Sequence, residues 1–178
     1  MPAGRTHAKL DERVAVATAG QMQHLGRRLA SLLRAGDLVV LSGPLGAGKT
    51  TLAQGIGSGL SVRGQVTSPT FVIARLHRSL GSGPDLVHAD AYRLGSRAEV
   101  DDLDLDADLG TAVTIVEWGE GLVEDLADSF LAVTIEPTIE PGAAPADTAE
   151  AAQGPRDVHI QGHGERWLGT DWPVLAAD

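Results

Sequence analysis

Cysteine is absent from the 178 residues, which removes disulfides, thiolate zinc sites and cysteine nucleophiles together. No apolar run approaches the roughly 18 residues of a membrane-spanning helix. Residues 1–10 are polar where a secretory signal would carry an apolar core. These absences point to a cytoplasmic protein with no membrane partner. Positive charge is scarce as well: 14 Lys+Arg stand against 24 Asp+Glu, a net charge of −10. A domain that grips nucleic acid unaided shows a basic face, so independent nucleic-acid binding is not expected. Lysine is the rarest cation, present only as Lys9 and Lys49. No lysine follows Lys49, which leaves no N/T-K-x-D loop for guanine and favours ATP over GTP.

What is present is an ordinary globular composition, 43 % hydrophobic, at a length that suits a single domain with a proper core. One of the two lysines sits in Gly43-Pro44-Leu45-Gly46-Ala47-Gly48-Lys49-Thr50, which fits the phosphate-binding pattern G-x-x-x-x-G-K-[ST]. Each residue type has a task. Glycines let the backbone curl until several N–H groups face a phosphate, and a following helix adds the positive end of its dipole. Lys49 supplies a charge for the β/γ-phosphates, and the Thr50 hydroxyl can ligate Mg²⁺. In the empty protein Lys49 is expected to face solvent.

The flanks agree with that motif. Residues 38–42 are a short apolar run of buried-strand type. A first strand is read at 13–17. A helix opens at Thr18 with Gln21 completing a capping-box pattern, and Gly36 is placed for its C-terminal cap. The helix after the loop carries Gly55, Gly57 and Gly59, poor helix formers, and is expected to be short or frayed. Residues 66–73 read as a turn feeding a strand, 86–90 as a strand, 96–109 as a helix, 111–117 as a strand, and 130–135 and 157–161 as two more. Residues 137–155 hold four prolines and one large apolar residue, Ile139. They read as a disordered insertion in a single domain spanning 1–178, with 169–178 a loose tail.

A phosphate loop needs acidic partners to hold Mg²⁺ and place an attacking water. Asp90 and Glu117 each close a predicted strand, where such folds gather ligands. Thr67-Ser68-Pro69-Thr70, about twenty residues after the loop, is where nucleotide switches place a γ-phosphate sensor. Asp102, Asp104 and Asp106 mimic a calcium loop but lack its glycine and its final carboxylate. His159 and His163 are separated by glycine that argues against a helical metal site. Trp118, Trp167 and Trp172 could each stack on a base, although core packing is the commoner use of a single Trp.

With these residues in view, the chain resembles the bacterial TsaE (YjeE) family of P-loop ATPases. The match takes in Gly36-Asp37, Gly43 to Thr51, Ser68-Pro69-Thr70-Phe71, His88-Ala89-Asp90-Ala91-Tyr92-Arg93-Leu94 and Val116-Glu117-Trp118. The resemblance implies an α/β fold of P-loop NTPase type, three-layered, with a central mostly parallel sheet extended by antiparallel strands. It implies an ATPase that assists the TsaD–TsaB pair in making N6-threonylcarbamoyladenosine beside the tRNA anticodon. By the family motif, Gly43, Gly46, Ala47, Gly48, Lys49, Thr50 and Thr51 bind the phosphates of ATP. Thr50, Asp90 and Glu117 serve Mg²⁺ or the water, Thr70 is a switch residue, and Trp118 lies near the nucleotide. The alternative is a small-molecule or nucleoside kinase on the same loop, with Arg75, Arg78, Arg93 and Arg97 as its phosphate clamp. A third reading is a nucleotide-gated binding module that needs no turnover.

Overall fold

The computed structural model describes residues 10–68, 73–94, 96–139, 141–142 and 154–170. In chain order the elements are β1 (Asp11–Val16), α1 (Ala19–Ala30), β2 (Leu38–Ser42), α2 (Lys49–Gly59), β3 (Ala74–His77), β4 (Asp85–Asp90), α3 (Arg97–Asp101), α4 (Asp106–Leu109), β5 (Ala112–Glu117), β6 (Phe130–Pro137) and β7 (Arg156–His163). Short 3₁₀ turns occupy Glu124–Leu126 and Glu165–Trp167.

The seven strands form one sheet in the order β1-β7-β6-β2-β5-β4-β3. Strands β6, β2, β5 and β4 run parallel at its centre. The outer pairs β1–β7, β6–β7 and β3–β4 are antiparallel. The sheet is therefore mixed: the mostly parallel sheet expected from the resemblance describes its four central strands. Central strands buried on both faces need continuous apolar sequence. β2 and β5, with LVVLS and AVTIVE, have it.

Alternation along these strands feeds two cores. Val39, Leu41, Val113, Ile115, Val133 and Ile160 meet α1 and α2 on one face. Leu38, Val40, Val87, Ala89 and Val116 meet Val100, Leu105 and Val123, from the α3–α4 region and the turn after β5, on the other. Asp37, at the entry to β2, is buried and takes a bidentate grip from Arg166, at 3.0 Å to each oxygen. That pair ties the turn after β7 to the strand that carries the phosphate loop. Trp167, beside it, is 1 % exposed and belongs to the core.

Several boundaries differ from the sequence expectations for identifiable reasons. Thr18 caps α1 as expected, its hydroxyl accepting from Gln21 N at 3.1 Å. However, α1 ends at Ala30 with Ser31 as its cap, and Gly36 instead turns the chain into β2 with φ 95°. The helix expected over 96–109 is two, α3 and α4, separated where Asp104 adopts φ 52°. The strand expected within 66–73 falls largely on residues 69–72, which lie outside the described residues; the described strand that follows is β3, at 74–77. Most of the 137–155 insertion and of the 169–178 tail also lies outside them.

The clearest correction concerns α2, which runs a full 11 residues. Its glycines are there for close approach, not as breaks. A Cβ on Gly55 would sit 2.3 Å from Gln23 O of α1, and one on Gly59 would sit 2.5 Å from the Ala30 side chain. Gly26 on α1 answers them, since a Cβ there would sit 2.5 Å from Leu52 O. Tertiary contact overrides the local helix preference. Gly55→Ala should therefore destabilise the fold by about 1–3 kcal/mol through overpacking, even though Ala gains about 1 kcal/mol in propensity. Denaturant titration would reveal it; a rise in stability would mean the helices are free to separate.

His77, at the end of edge strand β3, is also buried. Burial holds its imidazole below the usual histidine range, partly offset by a bond to Arg63 O. The unfolded chain thus takes up this proton at a higher pH than the folded one. This part of the stability is complete above the ordinary value of 6.5 and is lost as pH falls below it. His77→Asn should flatten the difference between urea midpoints at about pH 7.5 and about pH 5.5. An unchanged difference would assign the pH dependence elsewhere.

Candidate functional site

The phosphate-loop motif joins the end of β2 to the start of α2. Three of its residues adopt backbone conformations that favour glycine: Gly43 at φ 143°, Gly46 at 77° and Gly48 at 109°. Gly43 also has no room for a side chain, because a Cβ would lie 2.2 Å from Ile135 O. Gly48 is the N-cap of α2 and offers no side chain, so no side chain of the cap competes for the first N–H groups of the helix. That leaves the helix end open to an anion.

Parallel pairing brings the acids to the same end of the sheet. In the register Leu41 pairs with Glu117, and Glu117 with Asp90. Glu117 is 3 % exposed and its Oε1 accepts from Thr50 Oγ1 at 3.0 Å. The same oxygen lies 2.8 Å from Nε2 of His88, a fully buried residue of β4. Asp90 is half-buried, and its Oδ1 accepts from the Tyr92 N–H at 2.8 Å.

Lys49 corrects the expectation that it faces solvent: it is only 5 % exposed. Its ammonium folds back on its own loop, donating to Gly43 O at 2.7 Å and Pro44 O at 2.9 Å. It also lies 4.1 Å from the centre of the Trp118 ring. Trp118 leaves β5 with φ 60°, a strained value for a bulky residue, and its ring meets Tyr92 at 5.1 Å. Burial lowers the Lys49 pKa, while the charges of Glu117 and Asp90 raise it.

These groups line a cavity of about 520 Å³, with Leu45, Gly46, Gly48, Lys49, Thr50, Thr51, Asp90, Glu117 and Trp118 in its wall. A second cavity of about 370 Å³ lies along the same loop, between Val16–Ala19, Met22 and Arg156. Gly46, Gly48 and Thr51 belong to both walls. A ligand with an anionic end and a flat body could lie across the loop and use the two together.

The family model for "Threonylcarbamoyl adenosine biosynthesis protein TsaE" matches residues 16–142. The chain belongs to the TsaE family. A Streptomyces coelicolor protein named tRNA threonylcarbamoyladenosine biosynthesis protein TsaE is 58 % identical over 156 residues, covering 87 % of this chain and 99 % of that relative. A Mycobacterium tuberculosis (H37Rv) protein of the same name is 56 % identical over 119 residues, 63 % of this chain and 71 % of its own. The crystal structure of Bacillus subtilis YdiB superposes with a TM-score of 0.66 at 24 % identity, covering 91 % and 92 % of the two chains. That last likeness establishes the fold, a mixed α/β sheet.

Set against the TsaE motifs, the structure brings Gly46, Gly48, Lys49, Thr50, Thr51, Asp90, Glu117 and Trp118 to one cavity. Gly43 reaches it through Lys49, and Ala47 lies in the wall of the second cavity. Thr70 falls outside the described residues. Of the four arginines offered for a kinase clamp, only Arg93 lines the first cavity. Arg78 pairs with Asp85, Arg97 with Asp125, and Arg75 reaches Thr67 at 3.4 Å. Sequence reasoning missed His88 and Arg156 as site residues. His88 carried a signal, since it opens the His88-Ala89-Asp90 run; Arg156 carried none. The histidines set aside as a metal pair are accounted for: His159 binds Asp11, and His163 stacks on Phe130.

The fold-back of Lys49 makes its replacement informative. Lys49→Met keeps the buried volume and removes a desolvated charge, so stability should change by less than about 1 kcal/mol. Nucleotide binding should disappear. A fall of several degrees in the thermal midpoint would show that the ammonium is needed to hold the empty loop.

Proposed function

We propose that this protein binds and hydrolyses ATP as an accessory factor in threonylcarbamoyl modification of tRNA, acting in the cytoplasm with TsaD and TsaB homologues. The fold is taken as the three-layered P-loop NTPase type on the same grounds. One observation carries the reading: the Thr50 hydroxyl that follows the loop lysine is held by Glu117 at 3.0 Å, with Asp90 in register beside it. The relatives named above supply the pathway, because their names carry threonylcarbamoyladenosine biosynthesis.

The residues present fit Mg²⁺. A hydroxyl and two carboxylates are hard oxygen donors. Such a set suits a cation that takes one or two carboxylates and completes its shell with substrate phosphates and water. Thr50, Glu117 and Asp90 would hold it. When bound, Mg²⁺ would neutralise charge on the phosphates and align them.

The chain's own groups have separate tasks. The loop backbone and the open end of α2 face the phosphates. Lys49 exchanges its two carbonyl partners for phosphate oxygens and keeps its charge on the inner wall of the cavity. Glu117 is anchored through Oε1 by Thr50 and His88, and Asp90, half-buried beside it, takes a hydrogen bond from the entering water. Trp118 closes one wall. The base lies along the second cavity, between α1 and Arg156. No described element covers the mouth of the first cavity, where Leu45 is 90 % and Tyr92 68 % exposed. Turnover by the isolated protein is therefore slow, and a partner that excludes water raises it.

ATP turnover by the purified protein, alone and with TsaD–TsaB, tests this reading with Lys49→Ala as blank. Partners should raise the rate by at least about tenfold. Turnover indifferent to them, or transfer of the γ-phosphate to a metabolite, would replace the accessory-ATPase reading with the kinase one. GTP should bind more weakly than ATP in the same assay.

A further inference from the structure

Arg156 opens β7 and is 6 % exposed. No carboxylate lies within ion-pair distance of it among the described residues. Burying a guanidinium without a counter-charge is costly unless its donors are satisfied. Here they are satisfied by backbone carbonyls alone. Nε donates to Ala47 O at 3.0 Å and Nη2 to Gly46 O at 3.4 Å. Nη1 donates to Gly154 O at 2.6 Å and Pro155 O at 3.3 Å.

Two of those four acceptors belong to the phosphate loop, 109 and 110 residues away in sequence. The peptide unit is planar and trans, so its C=O and N–H point in opposite directions. Turning the carbonyls of Gly46 and Ala47 toward Arg156 turns the N–H groups of Ala47 and Gly48 away from it. The Ala47 N–H is taken by Pro44 O at 3.1 Å, and the Gly48 N–H has no partner among the described residues. On the other side of the loop, Lys49 draws in the carbonyls of Gly43 and Pro44. Two cations thus hold four loop carbonyls.

We propose that Arg156 is a positioning residue of the nucleotide site, which orients the Gly46–Gly48 backbone for the polyphosphate and sets a fixed positive charge behind it. The proposal rests on the nucleotide-binding reading above. A guanidinium suits the task because its planar fork spans carbonyls from two chain segments at once. A lysine ammonium is a point charge and reaches fewer of them.

The test titrates ATP into the full-length wild type, Arg156→Lys, Arg156→Gln and Arg156→Ala, each well below its own unfolding midpoint. Arg156→Gln should weaken ATP binding by at least about tenfold, the scale of lost charge-assisted hydrogen bonds. Arg156→Lys, the variant most certain to fold, should lose about threefold. Millimolar guanidinium should restore part of the affinity of Arg156→Ala and leave the wild type unchanged, which a purely structural role would not produce. Arg156→Gln or Arg156→Lys binding ATP within twofold of wild type, or no rescue, would overturn the proposal. A wild type that binds no ATP would overturn the nucleotide reading, and Arg156 with it.

Discussion

The parallel register of β2, β5 and β4 is the constraint on which the site depends. Side chains alternate across a strand, so one slip in pairing would send Glu117 to the opposite face from Thr50. The register is held by apolar alternation into two separate cores, with Ile115 and Leu41 committed to one and Val116 and Val40 to the other. A shifted pairing would bury the wrong side chain on both faces at once. The position of the buried carboxylate of the candidate site is therefore set by residues with no chemistry of their own.

Around this frame the protein gathers an unusual amount of buried charge. Lys49, Glu117, Arg156 and the imidazole of His88 are all nearly inaccessible to water. None is left alone: Lys49 and Arg156 rest on loop carbonyls, and Glu117 takes hydrogen bonds from Thr50 and His88. His88 still has an unpartnered Nδ1 within the described structure. A cluster of this kind is weak evidence for stability, because an apolar replacement of similar volume would cost less to bury. Its retention makes better sense as pre-organisation, with dipoles and charges fixed before a ligand arrives.

How much of this was legible in the sequence depends on whether the deciding contact is local. The phosphate loop, β2, β5 and the Thr18 cap were readable because each is specified by neighbouring residues. β3, at 74–77, went unread because four residues of mixed character on a sheet edge carry almost no periodic signal. The α2 glycines were misread because helix propensity is a local quantity, while Gly55 and Gly59 serve an approach to α1 some thirty residues earlier, where Gln23 and Ala30 leave no room for a Cβ, and Gly57 packs against Val66. Asp90 and Glu117 were legible as strand-end carboxylates beside a strong motif. Arg156 was not, since an arginine after a proline-rich stretch looks like surface until the strand it opens is seen beside the loop. Lys49 was read as facing solvent and is buried, because the motif is silent about its partners when the loop is empty.

That empty-state partner bears on how the site works. The bonds from Lys49 to Gly43 O and Pro44 O are charge-assisted, and the Trp118 ring adds a cation–π contact. On the proposed nucleotide-binding reading, a phosphate would have to take the ammonium from these groups, so binding would exchange contacts and not simply add them. Net affinity is then set by the difference between phosphate oxygens and loop carbonyls as partners, which favours ligands with the most charge at the loop. An ammonium already shielded by its own backbone also discriminates against weak or neutral visitors, which cannot match what they displace. The strained backbone of Trp118 belongs to the same exchange: it holds the ring where Lys49 rests on it, and a Lys49 drawn toward phosphate would leave one face of that ring uncovered.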